Sequence, residues 1–500
     1  MSLKSKGFLH FFFLSYGYII INLALTPIRL RLLTMLLDKE DYGLLTLAIM
    51  TVSLLAMFFS CGSFEFLVRR LPGTSDAYRQ GVYGMLIKVF GSLSMLFTVL
   101  AIPIYHSLQN LDIHLSWFDL LACGLALVLY LQLQFRTYYF LGCNDLLRFR
   151  VSQFLFLDGW FFVLLGVAVF VKPLTISTVL WTWTGWMFAT LLITERWAPL
   201  KWASRKPVEG LALGGVLSFS LPLLPMIFGE WLFRAADRYF VEAWAGLERI
   251  ADYSLCMNIS LMVHLIGCNL IGIIFPEFNR IMNKLPEGNA PWEDDQLRRF
   301  FGIMIRYALA LALPGCAALY LLNTDVLWIL SDPKFHDAAP LIRWAVPASF
   351  FFLLHIVFSR VLMAMDKSLV VGKITFACAL LNLLLNYLLI SNHPGQAAEA
   401  AAVATWTSLA IMCCWTGWSV KAWRWIQLSE LKLVRLTLAT VILIAAYAFV
   451  KQRFDWNPLI TVGVCGVISV VVLLGFGLFT KSEVMLLFAG ESEENKASEA

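Results

Sequence analysis

Eight basic side chains stand inside the long apolar runs of this 500-residue sequence. They are Arg29, Arg31, Lys88, Arg234, Arg238, Arg306, Arg343 and Lys373. A charge at the centre of a bilayer costs at least ~2.5–3.5 kcal/mol, so such residues usually face a cavity or a partner. The planar guanidinium binds two oxygens at once, which suits phosphate or pyrophosphate. The sequence therefore predicts a basic central cavity for an anionic ligand. Its predicted ligand-binding residues are Arg29, Arg31, Arg234, Arg238, Lys88 and Arg306.

Acidic residues in or at the edges of the same runs are fewer. They are Asp119, Asp158, Glu230, Asp237 and Glu399. Carboxylates at such positions carry protons or bind cations in transporters, and three of these are predicted to serve in ion coupling or gating: Asp158, Glu230 and Asp237. Whether the coupling ion is a proton or sodium, or whether no ion is coupled, stays open.

The richest of the charged runs carries four charges spaced 4, 3 and 1 residues apart. They are Glu230, Arg234, Asp237 and Arg238. On a helix this spacing places all four on one stripe. Pro222 and Pro225 precede them and should kink the helix. Two interpretations stand, a charged gate on a bent helix or an ion-paired stripe that neutralises itself. Arg29 and Arg31 point to nearly opposite faces, so at most one of them faces a central cavity squarely.

Composition identifies the elements that must position these charges. The chain is 60% hydrophobic and 14% charged, with mean hydropathy +0.76, whereas soluble domains are roughly 45–50% apolar and 25% charged. A soluble enzyme, a nucleic-acid binder and a disordered scaffold are therefore excluded. The ten cysteines form no C-x-x-C motif and read as small apolar residues. The sequence carries no P-loop or H-E-x-x-H motif, so no cofactor is predicted.

About fourteen transmembrane helices are predicted from runs of about 20 apolar residues. They are 11–33, 43–62, 82–104, 116–135, 151–171, 174–193, 213–238, 254–275, 300–322, 341–359, 368–390, 397–419, 432–450 and 458–479. The first resembles a signal peptide but lacks a small-residue cleavage site, so it is interpreted as a retained helix. The longest outer loop is expected at about Asn323–Pro340.

Charge distribution supports this count. With the N-terminus in the cytoplasm, 24 Lys and Arg fall in cytoplasmic segments, Arg136 among them, and 6 fall in outer segments. The positive-inside rule predicts such a bias. Both termini are therefore expected in the cytoplasm, and the acidic end of the chain is expected to be a solvated tail.

The two halves of the chain resemble each other. Asp41 and Asp252 each begin an interval of 28 positions that crosses one apolar run and ends at an arginine. A second pair of similar segments, 83–88 and 301–306, ends at Lys88 and Arg306. Both cations are expected nearer the cytoplasmic side. Because six spans separate the copies, both enter the membrane in the same direction, as in parallel-repeat transporters. The predicted domains are an N-lobe (1–200), a C-lobe (201–425), two extra helices (426–480) and the acidic tail (481–500).

Several segments resemble those of a known family. The sequence Arg31-Leu32-Leu33, then Asp41-Tyr42-Gly43, Gly62 and Arg69, resembles the start of the Wzx-type polysaccharide flippases. The run 219–225 followed by Ala236-Asp237-Arg238-Tyr239 resembles their seventh span, and 382–386 followed by the Ala-rich run from Ala397 to Ala404 resembles their eleventh and twelfth. The resemblance implies the multidrug/oligosaccharidyl-lipid/polysaccharide exporter superfamily. It also implies two six-helix lobes, alternating access, and ligand-binding arginines in spans one and seven, here Arg29 or Arg31 and Arg234 or Arg238.

The function implied is translocation of an undecaprenyl-pyrophosphate-linked oligosaccharide from the cytoplasmic to the outer leaflet of a bacterial inner membrane. Expected partners are this lipid-linked glycan, membrane lipids and a glycan polymerase, with no nucleic acid and no enzymatic activity. The alternatives are a cation-coupled multidrug exporter of the same superfamily and a non-transport scaffold of a glycan export complex. A membrane glycosyl-polymerase or ligase would usually carry a larger outer loop.

Overall fold

The computed structural model describes residues 17, 21–22, 24–72, 74–107, 115–143, 145–197, 213–282, 285, 290–454 and 456–480. Every regular element in these ranges is a helix, so the predicted all-α class is confirmed. The start of the first predicted span, most of the connection between the sixth and seventh predicted spans, and the acidic tail 481–500 lie outside the described residues.

The chain forms two compact units, Met1–Trp231 and Leu232–Ala500. The described part of the first unit contains α1 (24–36), α2 (Lys39–Ser60), α3 (Ser63–Arg70), α4 (Asp76–Ser107), α5 (Trp117–Gly142), α6 (Leu146–Leu157), α7 (Gly159–Phe170), α8 (Ile176–Glu195), α9 (Leu213–Ser220) and the start of α10 (Leu224–Met282). The lobe boundaries predicted from the sequence, 1–200 and 201–425, remain a prediction.

The described part of the second unit contains most of α10 and nine further α-helices. These are α11 (Asp295–Leu321), α12 (Asn323–Leu330), α13 (Ala339–Ala364), α14 (Ser368–Asn392), α15 (Ala397–Val420), α16 (Ala422–Trp425), α17 (Leu428–Leu431), α18 (Leu433–Arg453) and α19 (Pro458–Gly475).

Polar residues at the helix ends explain where several helices begin. Ser116 and Asp119 form a capping box at the start of α5, in which each side chain accepts a hydrogen bond from the other residue's backbone N–H. Asp119 is thus accounted for as a capping residue. The Asp294 carboxylate accepts from the backbone N–H of Leu297, 2.8 Å away, at the start of α11.

Twelve helices among the described residues are long and apolar enough to cross a membrane. One of them, Leu224–Asn269, has 46 residues. At 1.5 Å per residue it is about 69 Å long, more than twice the ~30 Å hydrocarbon thickness. Its backbone is non-helical at Gly246, so α10 is two arms, 224–245 and 247–282. With two crossings in α10 and the partly described first span, the structure agrees with about fourteen helices.

Two local predictions are corrected and one is confirmed. The segment Asn323–Pro340 is not a loop, because α12 and a 3-10 helix, Pro333–Ala338, fill most of it. The predicted span 151–171 is not one helix, since it breaks at Asp158 between α6 and α7. The kink expected at Pro222 and Pro225 is present as a 3-10 turn, Leu221–Leu223.

The last two long helices pack on the second unit. Leu436, Ala439 and Leu443 of α18 share an apolar cluster with Ala310 of α11. A 2.5 Å ion pair joins the Lys451 ammonium of α18 to the Asp325 carboxylate of α12. These contacts make α18 and α19 part of the second unit.

Candidate functional site: charged residues inside the membrane helices

An ion pair joins α1 to the break between α6 and α7. The Arg29 Nη1 lies 2.8 Å from Asp158 Oδ1, and the Asn22 amide donates to Asp158 Oδ2 at 2.9 Å. The Asp158 side chain is 7% exposed, whereas that of Arg29 is 28% exposed. Both had been predicted as site residues, the first for ion coupling and the second for ligand binding. The structure brings them together, with the carboxylate buried and the guanidinium partly accessible.

The helix break that positions Asp158 is maintained by two tryptophans. The Trp186 indole N–H donates to the Leu155 carbonyl at 2.7 Å, and the Trp160 indole N–H donates to the Leu157 carbonyl at 3.1 Å. These indoles bond to carbonyls at the end of α6, where a helix leaves such groups without an internal partner. A Cβ at Gly159 would lie 2.7 Å from the Trp186 Nε1, so only glycine allows this packing. The position of the carboxylate is thus set by α8 packing against a glycine.

The two arms of α10 form a hairpin around Gly246. This glycine has φ 79° and ψ 179°, a conformation that is essentially restricted to glycine. The Tyr253 hydroxyl donates to Asp237 Oδ2 at 2.5 Å, and the Arg238 Nε donates to the Ser254 hydroxyl at 3.0 Å. In sequence, the midpoints of these two residue pairs are positions 245 and 246, at the turn. The second arm therefore returns along the first and supplies the partners of its charges.

Asp237 and Arg238 belong to a buried polar network of the second unit. The Arg238 Nη1 lies 3.5 Å from Asp237 Oδ1 and also donates to the Arg234 carbonyl. The Thr405 hydroxyl of α15 donates to Asp237 Oδ2 at 3.3 Å, and the Asn382 amide of α14 donates to that hydroxyl at 3.4 Å. Asp237 is 1% and Arg238 2% exposed. The pair is neutral and hydrogen-bonded, and in this conformation it offers no open face to a ligand.

Arg234 differs from Arg238 although both lie on the first arm of α10. Its side chain is exposed, and no carboxylate of the described residues lies within 4 Å of its guanidinium. Arg234 precedes Gly246 by twelve residues, about 18 Å along the helix axis, which is more than half the ~30 Å hydrocarbon thickness. Glu230 is exposed as well. The four charges therefore do not share one environment, because the returning arm covers only the part of the helix near the turn.

The remaining predicted ligand residues lie in contrasting surroundings. Arg306 of α11 is fully buried, and its Nη1 donates to the Glu430 carbonyl at 2.6 Å. Lys88 of α4, predicted as its counterpart, is exposed. Arg31 is partly exposed. The resemblance of the two sequence segments therefore does not extend to the surroundings of these two cations.

Arg136 is a buried charged residue that the sequence pattern does not distinguish from loop cations. It lies within α5, six residues before that helix ends, and is 1% exposed. Its Nε donates to the Tyr83 hydroxyl at 2.8 Å, its Nη1 to the Leu191 carbonyl at 2.8 Å, and its Nη2 to Glu195. Arg136 thus joins α4, α5 and α8 inside the first unit. No local pattern signals this, because all its partners are 53 or more residues away in sequence.

Comparison with known proteins finds one partial family match and several solved structures with a similar fold. Residues 293–388 match the MatE family model. None of the curated proteins matches the sequence. Among solved structures, the lipid II flippase MurJ in an inward closed conformation matches with a TM-score of 0.70 and 14% identity, over 94% of this chain and 98% of that chain.

Two structures described as a multidrug resistance MATE family transporter of the MOP superfamily also match. The inward-facing structure has a TM-score of 0.57 and 13% identity, over 80% of this chain and 94% of its own. The outward-facing structure has a TM-score of 0.55 and 12% identity, over 81% of this chain and 93% of its own. The chain has the fold that MurJ shares with the MATE transporters. Together with the twelve membrane-length apolar helices among the described residues, this fold supports the expectation of a multi-pass membrane protein.

Proposed function

We propose that this chain is an alternating-access flippase that moves a polyprenyl-pyrophosphate-linked oligosaccharide from the cytoplasmic to the outer leaflet of a bacterial inner membrane. In this proposal the protein is a transporter and not an enzyme. Its chemistry is the recognition of an anionic headgroup by arginines held inside the membrane, and the glycan follows the headgroup.

The environment of Arg234 is the observation that carries the proposal. The Arg234 guanidinium is exposed, with no described carboxylate within 4 Å, and its residue lies about 18 Å along the helix from the Gly246 turn. At such a depth inside the hydrocarbon layer, the charge needs a ligand or water to offset a cost of at least ~2.5–3.5 kcal/mol. The nearby buried charge of Asp237 is already neutralised by Arg238. An anionic ligand such as pyrophosphate complements this excess positive charge.

Arg29 is the second proposed ligand-binding residue, and Asp158 the coupling residue. The Arg29 guanidinium is partly accessible, but it is held by Asp158. An incoming pyrophosphate would compete with Asp158 for the guanidinium, and protonation or cation binding at Asp158 would release Arg29 to the ligand. Glu230 stays a candidate for coupling. We assign Asp237, Arg238 and Arg306 to positioning, since in this conformation they are buried.

The extent of the structural match favours a flippase over a drug exporter. The match with MurJ covers 94% of this chain, and the matches with the two MATE transporter structures cover 80% and 81%. MurJ therefore has counterparts for a larger share of the chain. A basic binding site also suits a pyrophosphate better than it suits a cationic drug.

The test is deletion of the gene in its native host, followed by mass spectrometry of lipid-linked glycans and leaflet probing with an impermeant lectin. We expect an undecaprenyl-pyrophosphate oligosaccharide to accumulate on the cytoplasmic face. Complementation with the wild-type gene should restore delivery, and complementation with Arg234→Ala should not. Normal outer-leaflet delivery of every lipid-linked glycan in the deletion strain would refute the proposal.

Cation-coupled multidrug export is the second candidate, favoured by the MatE family match over residues 293–388. It predicts that cells lacking the gene retain cationic dyes and that glycan delivery is unaffected. Efflux of a cationic dye, measured in the same deletion and complemented strains, separates the two functions. Dye retention restored by the wild-type gene, together with normal glycan delivery, would establish the exporter instead.

A further inference from the structure

The segment 421–432 links α15 to α18 and contains α16 and α17; we call it the elbow. A lysine in the left-handed region stands at each end, Lys421 with φ 59° and Lys432 with φ 47°. Left-handed backbone is disfavoured for residues with a side chain and persists where the surroundings enforce it. The elbow is therefore a fixed connection whose shape is maintained by its contacts.

One side of the elbow is anchored in the second unit. Trp425 is fully buried, donates its indole N–H to the Val420 carbonyl at 3.1 Å, and packs 5.5 Å from the Phe301 ring. The Glu430 carbonyl accepts from Arg306 at 2.6 Å. A Cβ at Gly302 would lie 2.8 Å from the Glu430 Cβ, so a glycine in α11 allows this close approach. The anchoring determines which residues of the elbow face outward.

The opposite side carries large apolar side chains. Trp418 at the end of α15 is 72% exposed, and Trp423 in α16 is 53% exposed, with ring centroids 4.9 Å apart. Leu428 is 68% exposed. Tryptophans at the end of a transmembrane helix are typical of the headgroup region of a bilayer. This side of the elbow therefore has the residue types of a surface at lipid headgroups.

Two cations meet over one indole beside these tryptophans. The Lys421 Nζ and the Arg424 Cζ each lie 5.2 Å from the centroid of the Trp292 ring. In the part of the chain that the structure describes, no carboxylate lies within 4 Å of either cation. The indole face attracts both cations, but their mutual repulsion is relieved best by an anion between them.

We propose that Lys421 and Arg424 bind the phosphate of an anionic membrane phospholipid, with Trp292 as the platform beneath them. A phospholipid fits better than free phosphate because the same surface presents the exposed apolar side chains of Trp418, Trp423 and Leu428, which acyl chains would bury and free phosphate would not. The positive-inside bias assigns the elbow to the cytoplasmic leaflet, where anionic headgroups attract Lys and Arg by about 1 kcal/mol each. The inference does not depend on the transported substrate.

The experiment is native mass spectrometry of the purified full-length chain, titrated with phosphatidylglycerol or phosphatidylcholine. We expect the wild type to bind the first phosphatidylglycerol at least about 10-fold more tightly than phosphatidylcholine, the scale set by two cations near a headgroup. Lys421→Gln with Arg424→Gln should abolish this preference. The matched control is Arg360→Gln with Lys367→Gln, which removes the same charge from another exposed pair of the second unit and should keep the preference.

A second variant protects the test against misfolding. Trp292→Leu keeps both cations but removes the platform, and it should lower the preference at least 3-fold even if the double variant fails to fold. Equal binding of the two lipids by the wild type, or an equal loss in the control pair, would overturn the proposal. Displacement of phosphatidylglycerol by millimolar sodium phosphate would assign the site to free phosphate and refute the lipid.

Discussion

The guanidinium of Arg29 and the carboxylate of Asp158 lie 2.8 Å apart, and this ion pair links the first helix to a break in the fifth predicted span. The sequence indicated a separate role for each residue. Their pairing means that a ligand reaches the Arg29 charge in competition with Asp158. Ligand affinity and the state of Asp158 should therefore be linked.

Replacement of Asp158 by Asn should tighten binding of a pyrophosphate and slow transport. The variant removes the competing negative charge, so we expect affinity for farnesyl pyrophosphate to rise roughly 10-fold, the equivalent of about 1.4 kcal/mol. Tighter binding slows release of the pyrophosphate-linked substrate, so glycan export falls. Affinity is measured by the thermal shift of the purified protein on titration. Asn22→Ala is the control, because it removes a hydrogen bond to Asp158 and leaves the ion pair. An Asp158→Asn protein with wild-type affinity would contradict the link.

Arg234→Ala and Arg238→Ala should have different effects. Arg234 is exposed, so its loss should reduce export at least 10-fold with little change in thermal stability. Arg238 is the buried counter-ion of Asp237, and removal of one partner of a buried pair costs about 3–5 kcal/mol. We expect Arg238→Ala to unfold at a clearly lower temperature. Paired export and thermal unfolding measurements distinguish the two residues, and a fully active, equally stable Arg234→Ala protein would remove Arg234 from the binding site.

Gly159→Ala should disturb the break that holds Asp158. The new Cβ would lie 2.7 Å from the Trp186 Nε1 and push the indole from the Leu155 carbonyl. Overpacking of this kind costs about 1–3 kcal/mol. We expect lower thermal stability together with reduced export. Trp186→Phe, which removes the hydrogen bond and keeps an aromatic ring, should cause a smaller loss, and no loss in either variant would show that the break is maintained by other contacts.

Gly246→Ala should destabilise the α10 hairpin. A side chain at φ 79° and ψ 179° costs about 1–3 kcal/mol. The control is Gly185→Ala in α8, where a Cβ meets nothing within 4 Å. Thermal unfolding of the two purified variants is the measurement. Equal stability of Gly246→Ala and Gly185→Ala would mean that the turn at 246 tolerates a side chain.

The helices were predictable because apolar length alone specifies a membrane span. Short interruptions were also visible, since the prolines at 222 and 225 mark the 3-10 turn before α10. The sequence analysis did not predict the break at Asp158, although an Asp-Gly pair inside an apolar run is a turn signal. The contact that maintains the break leaves no local pattern, because Trp186 lies 31 residues beyond its partner Leu155.

The sequence indicated which residue types belong to the candidate site, but it did not indicate which of these side chains are buried. Arg234 and Arg238 lie one turn apart and look alike in sequence, yet one is exposed and the other is 2% exposed. The difference comes from Ser254 and Thr405, which reach Arg238 and Asp237 only after the chain has folded back. Likewise, the cation that proved buried in α5, Arg136, was indistinguishable from the loop cations beside it.

The turn at Gly246 also bears on how the chain enters the bilayer. Tyr253 and Ser254 follow Asp237 and Arg238 by only sixteen residues. A nascent chain therefore presents the two charges and their hydroxyl partners within one short stretch, before α14 and α15 have been synthesised. The hairpin can be inserted as a single unit that is electrically neutral at this point. Thr405, which is synthesised later, then completes a polar cluster that already exists. Asp237 and Arg238 therefore enter the membrane together with their partners.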